Sequence, residues 1–399
     1  LLPLLAGTWV ALRARGRGVR REPRLGRHSR PFGQLRFDTA GTAAGRWVER
    51  LHLARLPVLV NVLKGDMSLV GPRAAAPEEM SPRDPVVRQR FDVRPGLVCL
   101  WWIRQRANIA YDDEVEVDAE YVRTRSGGDV GIGVRALVAG LYGGRSADAP
   151  PRLEVLGLRI DNPTMEGALD WIAAQLAGQG GQQVAFVNPH CANVAARDVE
   201  YRQALLGSGL CLADGIGMKL AGRLLGTPIR ENVNGTDLFP RLCERLSGTG
   251  HSLYLLGGRP GVPEAVGDWL AAHYPGVTVS GCRDGYFRDG EEEAVVQGIA
   301  ASGAAVLLVA LGVPRQDVWV SRHLARTGAR VALGVGGLFD FYSGRIRRAP
   351  LWMREIGLEW LYRFIQEPGR MWRRYFVGNA VFLARVCGQR LRRSLRRDG

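Results

Sequence analysis

From residue 153 onward, short apolar runs alternate with segments of helical pattern, and this alternation constrains the fold more than any other feature of the chain. Four runs have the length and composition of buried strands: "VAFVN" (184–188), "SLYLLGG" (252–258), "AVLLVALG" (305–312) and "VALGVGG" (331–337). Strands that are apolar throughout and separated by helices form a parallel sheet covered on both faces. Several of these strands run directly into glycine, as ligand-binding α/β sheets do at their carboxyl ends. The pattern predicts an α/β domain with a Rossmann-like parallel sheet and helices on both faces.

The rest of the chain divides around this region. The stretch "GGRSADAPPR" (143–152) has the Gly, Ser and Pro content of a linker, so we place the main boundary there and the α/β domain at 153–350. Residues 1–142 show short, interrupted periodicity, which predicts a smaller, mainly helical domain. Residues 351–399 have a basic, helical pattern, and an apolar stripe at four-residue spacing suits docking on a domain or a membrane surface. The stripe consists of Trp352, Ile356, Trp360 and Phe364.

The positive charge of the chain is concentrated at its two ends. The formal net charge is +15, but residues 1–30 carry eight Arg against one acid, and residues 345–399 carry fourteen Arg against four acids. The segment between them is close to neutral. A basic face made by both ends could meet nucleic acid, anionic lipid or a phosphorylated substrate, and solubilising surface charge is the simpler alternative.

No apolar run reaches the roughly 18 to 20 residues that a membrane-spanning helix needs. The first twelve residues, "LLPLLAGTWVAL", are apolar and are followed at once by a basic run, without the cleavage site of a signal peptide. We expect them to be part of a membrane-inserted helix, in a chain that begins inside a longer protein. The six cysteines are scattered, with no C-x-x-C pair and no His at metal spacing, so the sequence predicts reduced core thiols and no metal site.

Two glycine-rich turns point to substrate binding. In "LADGIGMKLA" a strand ends at Asp214 and the chain turns through Gly215 and Gly217 into a helix. A carboxylate held there can accept a proton from a substrate hydroxyl, although turn glycines and a helix N-cap give a commoner explanation. In "LLGGRPGV" a strand runs into Gly257 and Gly258 before a helix, where backbone N–H groups can approach a nucleotide diphosphate.

Two further segments carry polar and cationic candidates. In "GVPRQDVWV", Gln316 and Asp317 follow a strand end and suit recognition of a base or of sugar hydroxyls; the alternative is a capped helix start. In "GVGGLFDFYSGRIRRAPLWMREIGLEWLYRF" and "EPGRMWRRY", arginines alternate with aromatic residues. Three of the arginines share one helix face if the helix continues, and the planar guanidinium suits a diphosphate. They are Arg363, Arg370 and Arg373. A solvated amphipathic helix is the alternative.

The four segments, in this order, resemble the WecG/TagA/CpsF glycosyltransferase family over about residues 153–375. The resemblance implies transfer of an N-acetylhexosamine, typically N-acetylmannosamine, from a UDP-sugar to a polyprenyl diphosphate-linked sugar, with inversion and without a metal or other cofactor. It implies that Asp214 is the catalytic base and that Arg363, Arg370 and Arg373 are catalytic residues that neutralise diphosphate charge. The substrate-binding residues implied are Asn188, Gly215, Gly217, Asn234, Gly257, Gly258, Gln316, Asp317, Gly336 and Asp340. Where the family usually has Thr, Thr and Glu, this chain has Phe186, Asn234 and Asp317, and Phe186 lacks a hydroxyl at the active site.

Residues 1–142 resemble the bacterial sugar transferases, which move a sugar phosphate from a UDP-sugar to polyprenyl phosphate. "LVNVLKGDMSLVGPR" and "RPGLVCLWWIRQRA" match that family, but its "LDELP" reads Leu53, Ala54, Arg55, Leu56, Pro57 here. The two carboxylates that the family uses for covalent catalysis are therefore absent, and neither Ala nor Arg can form the acyl phosphate intermediate. Asp38 also stands where an Arg binds substrate. We expect a domain that has lost catalysis and keeps its membrane location.

These observations favour a fusion on the cytoplasmic face of the bacterial inner membrane, in which an inactive first domain holds an active glycosyltransferase close to its lipid-linked acceptor. The alternatives are a bifunctional enzyme, for which Asp66 is the nearby replacement carboxylate, and a non-catalytic scaffold. An Arg-rich nucleic-acid binder is disfavoured by the near-neutral middle of the chain and the absence of nucleic-acid motifs. The oligomeric state stays open, a homo-oligomer included.

Overall fold

The computed structural model describes residues 18–39, 53–80, 84–107, 109, 113–124, 128–142 and 149–395. The chain forms two compact units, residues 1–141 and 142–399. The apolar segment at residues 1–12 lies outside the described residues, as do residues 143–148 of the predicted linker. Each unit is described by itself.

The first unit combines short helices with two small sheets. β1 and β2 form an antiparallel hairpin, and β3 pairs with β4 in parallel. One small core consists of Leu25, Ala75, Val87 and Phe91, and a second is centred on Val58, Met67 and Ala74. The strands are β1 (Val19–Leu25), β2 (Pro31–Phe37), β3 (Ser68–Val70) and β4 (Gly96–Val98), and the helices are α1 (Val58–Lys64), α2 (Pro85–Gln89), α3 (Leu100–Ala107), α4 (Glu114–Thr124) and α5 (Asp129–Tyr142).

The second unit is built on one eight-stranded sheet of order β10-β9-β11-β12-β7-β8-β6-β5. All neighbours run parallel except the β5–β6 hairpin at one edge, so the predicted mixed α/β architecture with a mainly parallel sheet is confirmed. The strands are β5 (Arg152–Val155), β6 (Leu158–Asp161), β7 (Gln182–Val187), β8 (Leu210–Ala213), β9 (Ser252–Gly257), β10 (Thr278–Arg283), β11 (Val306–Ala310) and β12 (Val331–Gly334). The four strands expected from the apolar runs correspond to β7, β9, β11 and β12.

Helices follow most of these strands. They are α6 (Met165–Ala177), α7 (Pro189–Ala195), α8 (Val199–Leu206), α9 (Ile216–Leu224), α10 (Gly235–Leu246), α11 (Val262–His273), α12 (Glu292–Ser302), α13 (Arg315–Thr327), α14 (Leu338–Tyr342), α15 (Leu351–Glu355), α16 (Glu359–Gln366), α17 (Pro368–Trp372) and α18 (Gly378–Leu395). Helices α6, α10, α11 and α14 pack on one face of the sheet, while α7, α8, α9, α12, α13 and α18 pack on the other. Alternate strand side chains enter the two layers, because successive residues of a strand point to opposite faces.

The C-terminal segment is broken into short helices, so the expected continuous apolar stripe and single arginine face do not form. Helix α15 ends before Gly357, which has a left-handed φ of 73°. Helix α16 ends before Pro368, whose ring disfavours helical geometry in the preceding residue. A π-helical turn over Arg373–Val377 then joins α17 to α18. Among the described residues, no helix combines the length and apolar character needed to cross a membrane.

Helix α18 completes the sheet edge. Phe382 and Val386 of α18 are fully buried against the layer formed by β5, β6 and α7. The Gln389 side chain accepts a hydrogen bond from the Leu156 N–H (2.9 Å) and donates one to the Glu154 carbonyl (3.2 Å). The last helix of the second unit is therefore bonded to its first strand and to the turn that follows.

Candidate active site

The carboxyl ends of the parallel strands open into a cavity of about 1370 Å³. The helices that follow the neighbouring strands β7 and β12 leave on opposite faces of the sheet, α7 on one and α14 on the other. Such a reversal creates a crevice in which open α/β sheets bind ligands. The cavity lies in the second unit alone, and eight arginines and four carboxylates are among its lining residues.

Asp214 lies in this cavity, directly after β8. Its backbone N–H donates to the Val187 carbonyl (2.8 Å), which fixes the end of β8 beside the end of β7. The next residue, Gly215, has φ 86° and ψ 170°, a conformation essentially restricted to glycine. The sharp turn into α9 therefore depends on Gly215, and it leaves the Asp214 carboxylate facing the cavity.

Asn188 connects the end of β7 to Asp214. Its side-chain oxygen caps α7 by accepting from the backbone N–H groups of His190 (3.0 Å) and Cys191 (3.2 Å). Because the oxygen is used in the cap, the amide nitrogen is the group that donates to the Asp214 carboxylate. Asn188 thus orients Asp214 and is itself oriented by α7.

The electrostatic surroundings of Asp214 suit a proton acceptor. Burial raises the pKa of its carboxyl above the ordinary value, while the hydrogen bond from Asn188 and the positive charge of Arg374 act against this rise. Burial lowers the pKa of His190, and the positive charge of Arg374 lowers it further, so the site favours the neutral imidazole. A carboxylate with a raised pKa is a stronger base than an ordinary Asp.

Arg374 was missed by the sequence analysis. In a continuous α-helix, Arg370 and Arg373 would face the same way as Arg363, but the π-helical turn over Arg373–Val377 changes the direction of the side chains. Arg374 is half-buried and Arg373 is exposed, and both line the cavity. Arg370 lies in α17, and its side chain is outside the described part of the structure.

Gln316 and Asp317 support the glycine loop that follows β12. Gln316 accepts a hydrogen bond from the Gly336 N–H (3.0 Å). Gln316 and Asp317 are each 2% exposed. A Cβ at Gly334 would lie 2.6 Å from the Asp317 carboxylate, so only glycine allows this approach. Gln183 donates to Asp317, and burial raises the pKa of Asp317 to about 7. Gln316 reaches the cavity lining from below the loop, whereas Asp317 is not among the lining residues.

A cluster of ion pairs forms one wall of the cavity. Arg345 donates to Asp340 (2.7 Å), and the Arg363 guanidinium lies 3.6 Å from the other Asp340 oxygen. Glu367 lies within 4 Å of both arginines, and Arg363 stacks over Phe341 at 5.1 Å. These contacts hold the Arg363 guanidinium at the cavity, with Asp340 as its fixed counter-charge.

A different part of the lining consists of arginines, one of which stacks on an aromatic ring. Arg315 donates to the carbonyls of Gly285 (3.1 Å) and Phe287 (3.2 Å) and stacks over the Phe287 ring at 4.6 Å. Arg259 and Arg288 are exposed to the cavity, and no carboxylate pairs with their guanidinium groups among the described residues. Together with Arg373 and Arg374 they supply positive charge that is not taken up in ion pairs among the described residues.

The structure brings some of the predicted site residues to the cavity and leaves others away from it. Those that line it are Asn188, Asp214, Gly258, Gln316, Gly336, Asp340, Arg363 and Arg373. Those that do not are Gly215, Gly217, Asn234, Gly257 and Asp317. Asn234 caps α10 by accepting from the Asp237 N–H (2.8 Å), so its visible role is structural. Within the described residues, no group of three or more His, Cys, Asp or Glu side chains is placed to hold a metal ion.

A buried ion pair ties α10 to the C-terminal segment. Asp237 is 6% exposed and accepts hydrogen bonds from Arg348 and Arg354. Burial acts to raise the pKa of Asp237, but the two guanidinium groups outweigh it and the pKa is lowered. The segment "VNGTDL" (233–238), whose Gly235 lies against Phe186, is thereby linked to the chain that leads into the helix carrying Arg363.

In the first unit, Ala54 and Arg55 stand where the bacterial sugar transferase family has its two carboxylates. Ala54 is buried and Arg55 is accessible, in a 3₁₀ turn over Leu53–Arg55. Asp66 is half-buried and accepts a hydrogen bond from Asn61 (3.3 Å), an amide that also binds the backbone of β2. Asp66 is thus part of a structural contact.

Comparison with known proteins agrees with the two-part organisation. Residues 153–396 match the profile of the "Glycosyl transferase WecG/TagA/CpsF family", and residues 1–141 match that of the "Bacterial sugar transferase" family. A Bacillus subtilis (strain 168) protein, an N-acetylglucosaminyldiphosphoundecaprenol N-acetyl-beta-D-mannosaminyltransferase, is 31% identical over 214 residues, 53% of this chain and 82% of the relative. A protein of the same name from Bacillus spizizenii is 32% identical over 194 residues, 49% of this chain and 74% of the relative.

The family match covers more than half of the chain and contains the whole cavity, Asp214 included. The chain is a glycosyltransferase that belongs to the WecG/TagA/CpsF family, and its N-terminal part is a bacterial sugar transferase domain.

Proposed function

We propose that the second unit transfers an N-acetylhexosamine, of the N-acetylmannosamine type, from a UDP-sugar to a polyprenyl diphosphate-linked sugar, with inversion. The product would serve a cell-surface polysaccharide or a polymer of the teichoic acid type. The observation that carries the proposal is the placement of Asp214, oriented by Asn188, in an arginine-lined cavity at the strand ends. The relatives' names supply the sugar and lipid classes.

The chemistry is a single displacement. The acceptor hydroxyl gives its proton to the Asp214 carboxylate while its oxygen forms a bond to the anomeric carbon of the donor sugar. The bond between that carbon and the UDP oxygen breaks on the opposite side, and UDP leaves with the bonding electron pair. Positioned general bases contribute about 10² to 10⁴ in rate.

The leaving diphosphate gains negative charge, and cavity arginines are the groups available to stabilise it. Arg363 is held by Asp340, while Arg373 and Arg374 carry no carboxylate partner among the described residues. Guanidinium groups bind two phosphate oxygens at once and stay charged at all relevant pH values. We therefore expect transfer without a required metal or other cofactor.

We also place the protein on the cytoplasmic face of the bacterial inner membrane. The C-terminal helices, which also carry cavity arginines, present exposed aromatic and apolar side chains, and these suit an acceptor anchored in a bilayer. They include Trp352, Ile365, Trp372, Phe376 and Val377. The first domain, with Ala54 and Arg55 in place of carboxylates, is expected to add membrane attachment without a second transfer activity.

The test measures transfer from a panel of UDP-N-acetylhexosamines to a short-chain lipid-diphosphate sugar, in buffer with EDTA. We expect turnover by the wild type, a loss of about 10² or more in kcat for Asp214→Asn, and no loss for the matched variant Asp170→Asn on an exposed helix face. Absence of turnover with every donor would favour a scaffold. Full activity of Asp214→Asn would falsify the role of Asp214 as the base. Release of UMP when polyprenyl phosphate is the acceptor, in addition to release of UDP with the lipid-diphosphate sugar, would support the bifunctional alternative.

A further inference from the structure

The π-helical turn over Arg373–Val377 is tied to α7 directly after its last residue. The Gly378 N–H closes the turn by donating to the Arg373 carbonyl. Turns of this kind are rare, and they occur mostly as single turns inside α-helices, frequently at functional sites. A contact that keeps this turn in place therefore decides where the side chain of Arg374 points.

A single side chain of α7 makes such a contact. The Asn193 amide nitrogen donates to the Gly378 carbonyl (2.7 Å). Its oxygen accepts from the Arg385 guanidinium (3.1 Å), which also lies 3.5 Å from the Asn193 carbonyl. Because a guanidinium can only donate, Arg385 fixes the amide with its nitrogen toward Gly378. Gly378 and Arg385 lie on the same face of α18, and this face packs along α7.

Helix α7 also organises the site around Asp214. Asn188 caps its first turn, His190 lies in that turn, and both line the cavity. Asn193 lines the same cavity, while other side chains of α7 are buried in the core beneath it. Helix α7 is therefore a frame that holds the Asp214 carboxylate through Asn188 at one end and the π-helical turn through Asn193 at the other.

We propose that Asn193 is a positioning residue, whose bond to Gly378 holds the π-helical turn so that Arg374 points into the cavity. Without this bond the rest of α18 stays packed on the sheet, but the turn before it loses its tie to α7. Arg374 is then free to move toward solvent, and its charge acts less strongly on the site. The catalytic meaning of this inference rests on the proposed function, whereas the position of Arg374 can be measured without turnover.

The His190 imidazole reports the position of Arg374 in the absence of substrate. The positive charge of Arg374 lowers the pKa of His190 beyond the effect of burial, so moving the arginine away raises this pKa. An NMR titration of the full chain measures it, with the His190 signal assigned by its loss in His190→Gln. Asn193→Ala should raise the pKa by about 0.3 pH unit or more, the effect of a unit charge at about 10 Å in water-like surroundings.

Two further variants separate the position of Arg374 from other effects of the change. Asn193→Leu keeps much of the side-chain volume, removes both side-chain hydrogen bonds and should raise the His190 pKa in the same direction. Arg374→Gln should raise it at least as much, and Asn193→Ala added to Arg374→Gln should produce no further rise, because the charge that Asn193 positions is already gone.

Gln389→Leu is the matched control, because the Gln389 amide also ties α18 to the sheet, further along the helix. It should lower the free energy of unfolding and leave the His190 pKa unchanged. An unchanged His190 pKa in both Asn193→Ala and Asn193→Leu overturns the proposal, as does an equal rise in Gln389→Leu.

The transfer assay shows whether the positioning serves the reaction. Asn193→Ala should move the acid limb of kcat/KM to higher pH, in the same direction as Arg374→Gln, because Arg374 lowers the pKa of Asp214. A raised acceptor KM with an unmoved limb and an unmoved His190 pKa would instead make Asn193 a substrate contact and overturn the proposal. A raised His190 pKa in a chain that transfers no sugar would count against the proposed function and support the position assigned to Arg374.

Discussion

Asp237 and Arg348, 111 residues apart in the chain, form a hydrogen-bonded ion pair that is largely enclosed by α10 and the C-terminal segment. The carboxylate has a second guanidinium partner in Arg354, at 3.3 Å. Because Arg363 lies a few residues further along, the position of a predicted catalytic arginine depends on this distant contact.

Removing Arg348 leaves the buried Asp237 carboxylate with Arg354, at 3.3 Å, as its remaining guanidinium partner. Arg348→Ala should lower the free energy of unfolding by about 1.5 to 3 kcal/mol, the range for a hydrogen bond to a charged group, measured by urea denaturation at pH 7.5. Arg322→Ala breaks an ion pair whose two side chains are both more than half exposed, and should cost less than about 1 kcal/mol. Equal losses for the two variants would show that the Asp237 contact is not structural.

The pH dependence of transfer should report the pair of Asp214 and Arg374. Transfer requires the ionised Asp214, so kcat/KM rises as the pH passes through its pKa. Arg374 lowers that pKa, and Arg374→Gln should therefore move the acid limb of the profile to higher pH. Arg374→Lys, which keeps the charge, should leave the limb in place.

Arg373→Gln is the matched control, because Arg373 is adjacent in sequence but exposed and does not appear among the charges that act on Asp214. It should lower the rate without moving the acid limb. An unchanged limb in Arg374→Gln would contradict the assigned influence of this arginine.

Asp317 should make stability depend on pH. Burial raises its pKa from the ordinary 3.8 to about 7, so between these values the folded state holds a proton that the unfolded state releases. The free energy of unfolding then falls as the pH rises through this window, by about 4 kcal/mol in total at about 1.4 kcal/mol per pKa unit. Asp317→Asn should remove that contribution, whereas the exposed Asp170→Asn should not; chemical denaturation from pH 4.5 to 8 measures both.

Phe186 should affect the choice of acceptor. Its ring lines the cavity and lies against Gly235, at the place where related sequences usually have Thr. Phe186→Thr opens space and adds a hydroxyl. A single methylene in a hydrophobic pocket already alters substrate preference by about 10- to 200-fold, so we expect an effect of at least this order. We expect the ratio of kcat/KM for two lipid-diphosphate acceptors with different terminal sugars to change. An unchanged ratio, with a changed overall rate, would assign Phe186 a packing role only.

Much of the second unit could be predicted from the sequence because its strands are apolar on both faces. Runs such as "AVLLVALG" have no other stable location in a soluble domain, and they became central strands. Asp214 was placed at a strand end by the same pattern, since the apolar run stops there. The edge strand β10 is partly exposed along its whole length and gave no such signal.

Residues whose roles depend on backbone direction were harder to predict. Gln316 and Asp317 follow a strand end, but the fold directs Asp317 beneath the glycine loop and away from the cavity. The π-helical turn that brings Arg374 inward has no recognisable sequence signature, because it depends on how α17 and α18 pack. Pro368 is visible in the sequence, and its ring disfavours one continuous helix from Arg363 to Arg373, so it argues against a shared arginine face.

The bond between Gln389 and the turn after β5 has a consequence for the timing of synthesis. Leu156 follows β5, the first strand of the second unit, and lies 233 residues before Gln389 in α18. The ribosome therefore adds residues for about 10 to 50 seconds between making β5 and making the part of α18 that bonds to it. During that interval the apolar layer that later receives Phe382 and Val386 is uncovered. A nascent second unit is therefore expected to need protection from other chains until its last helix has emerged.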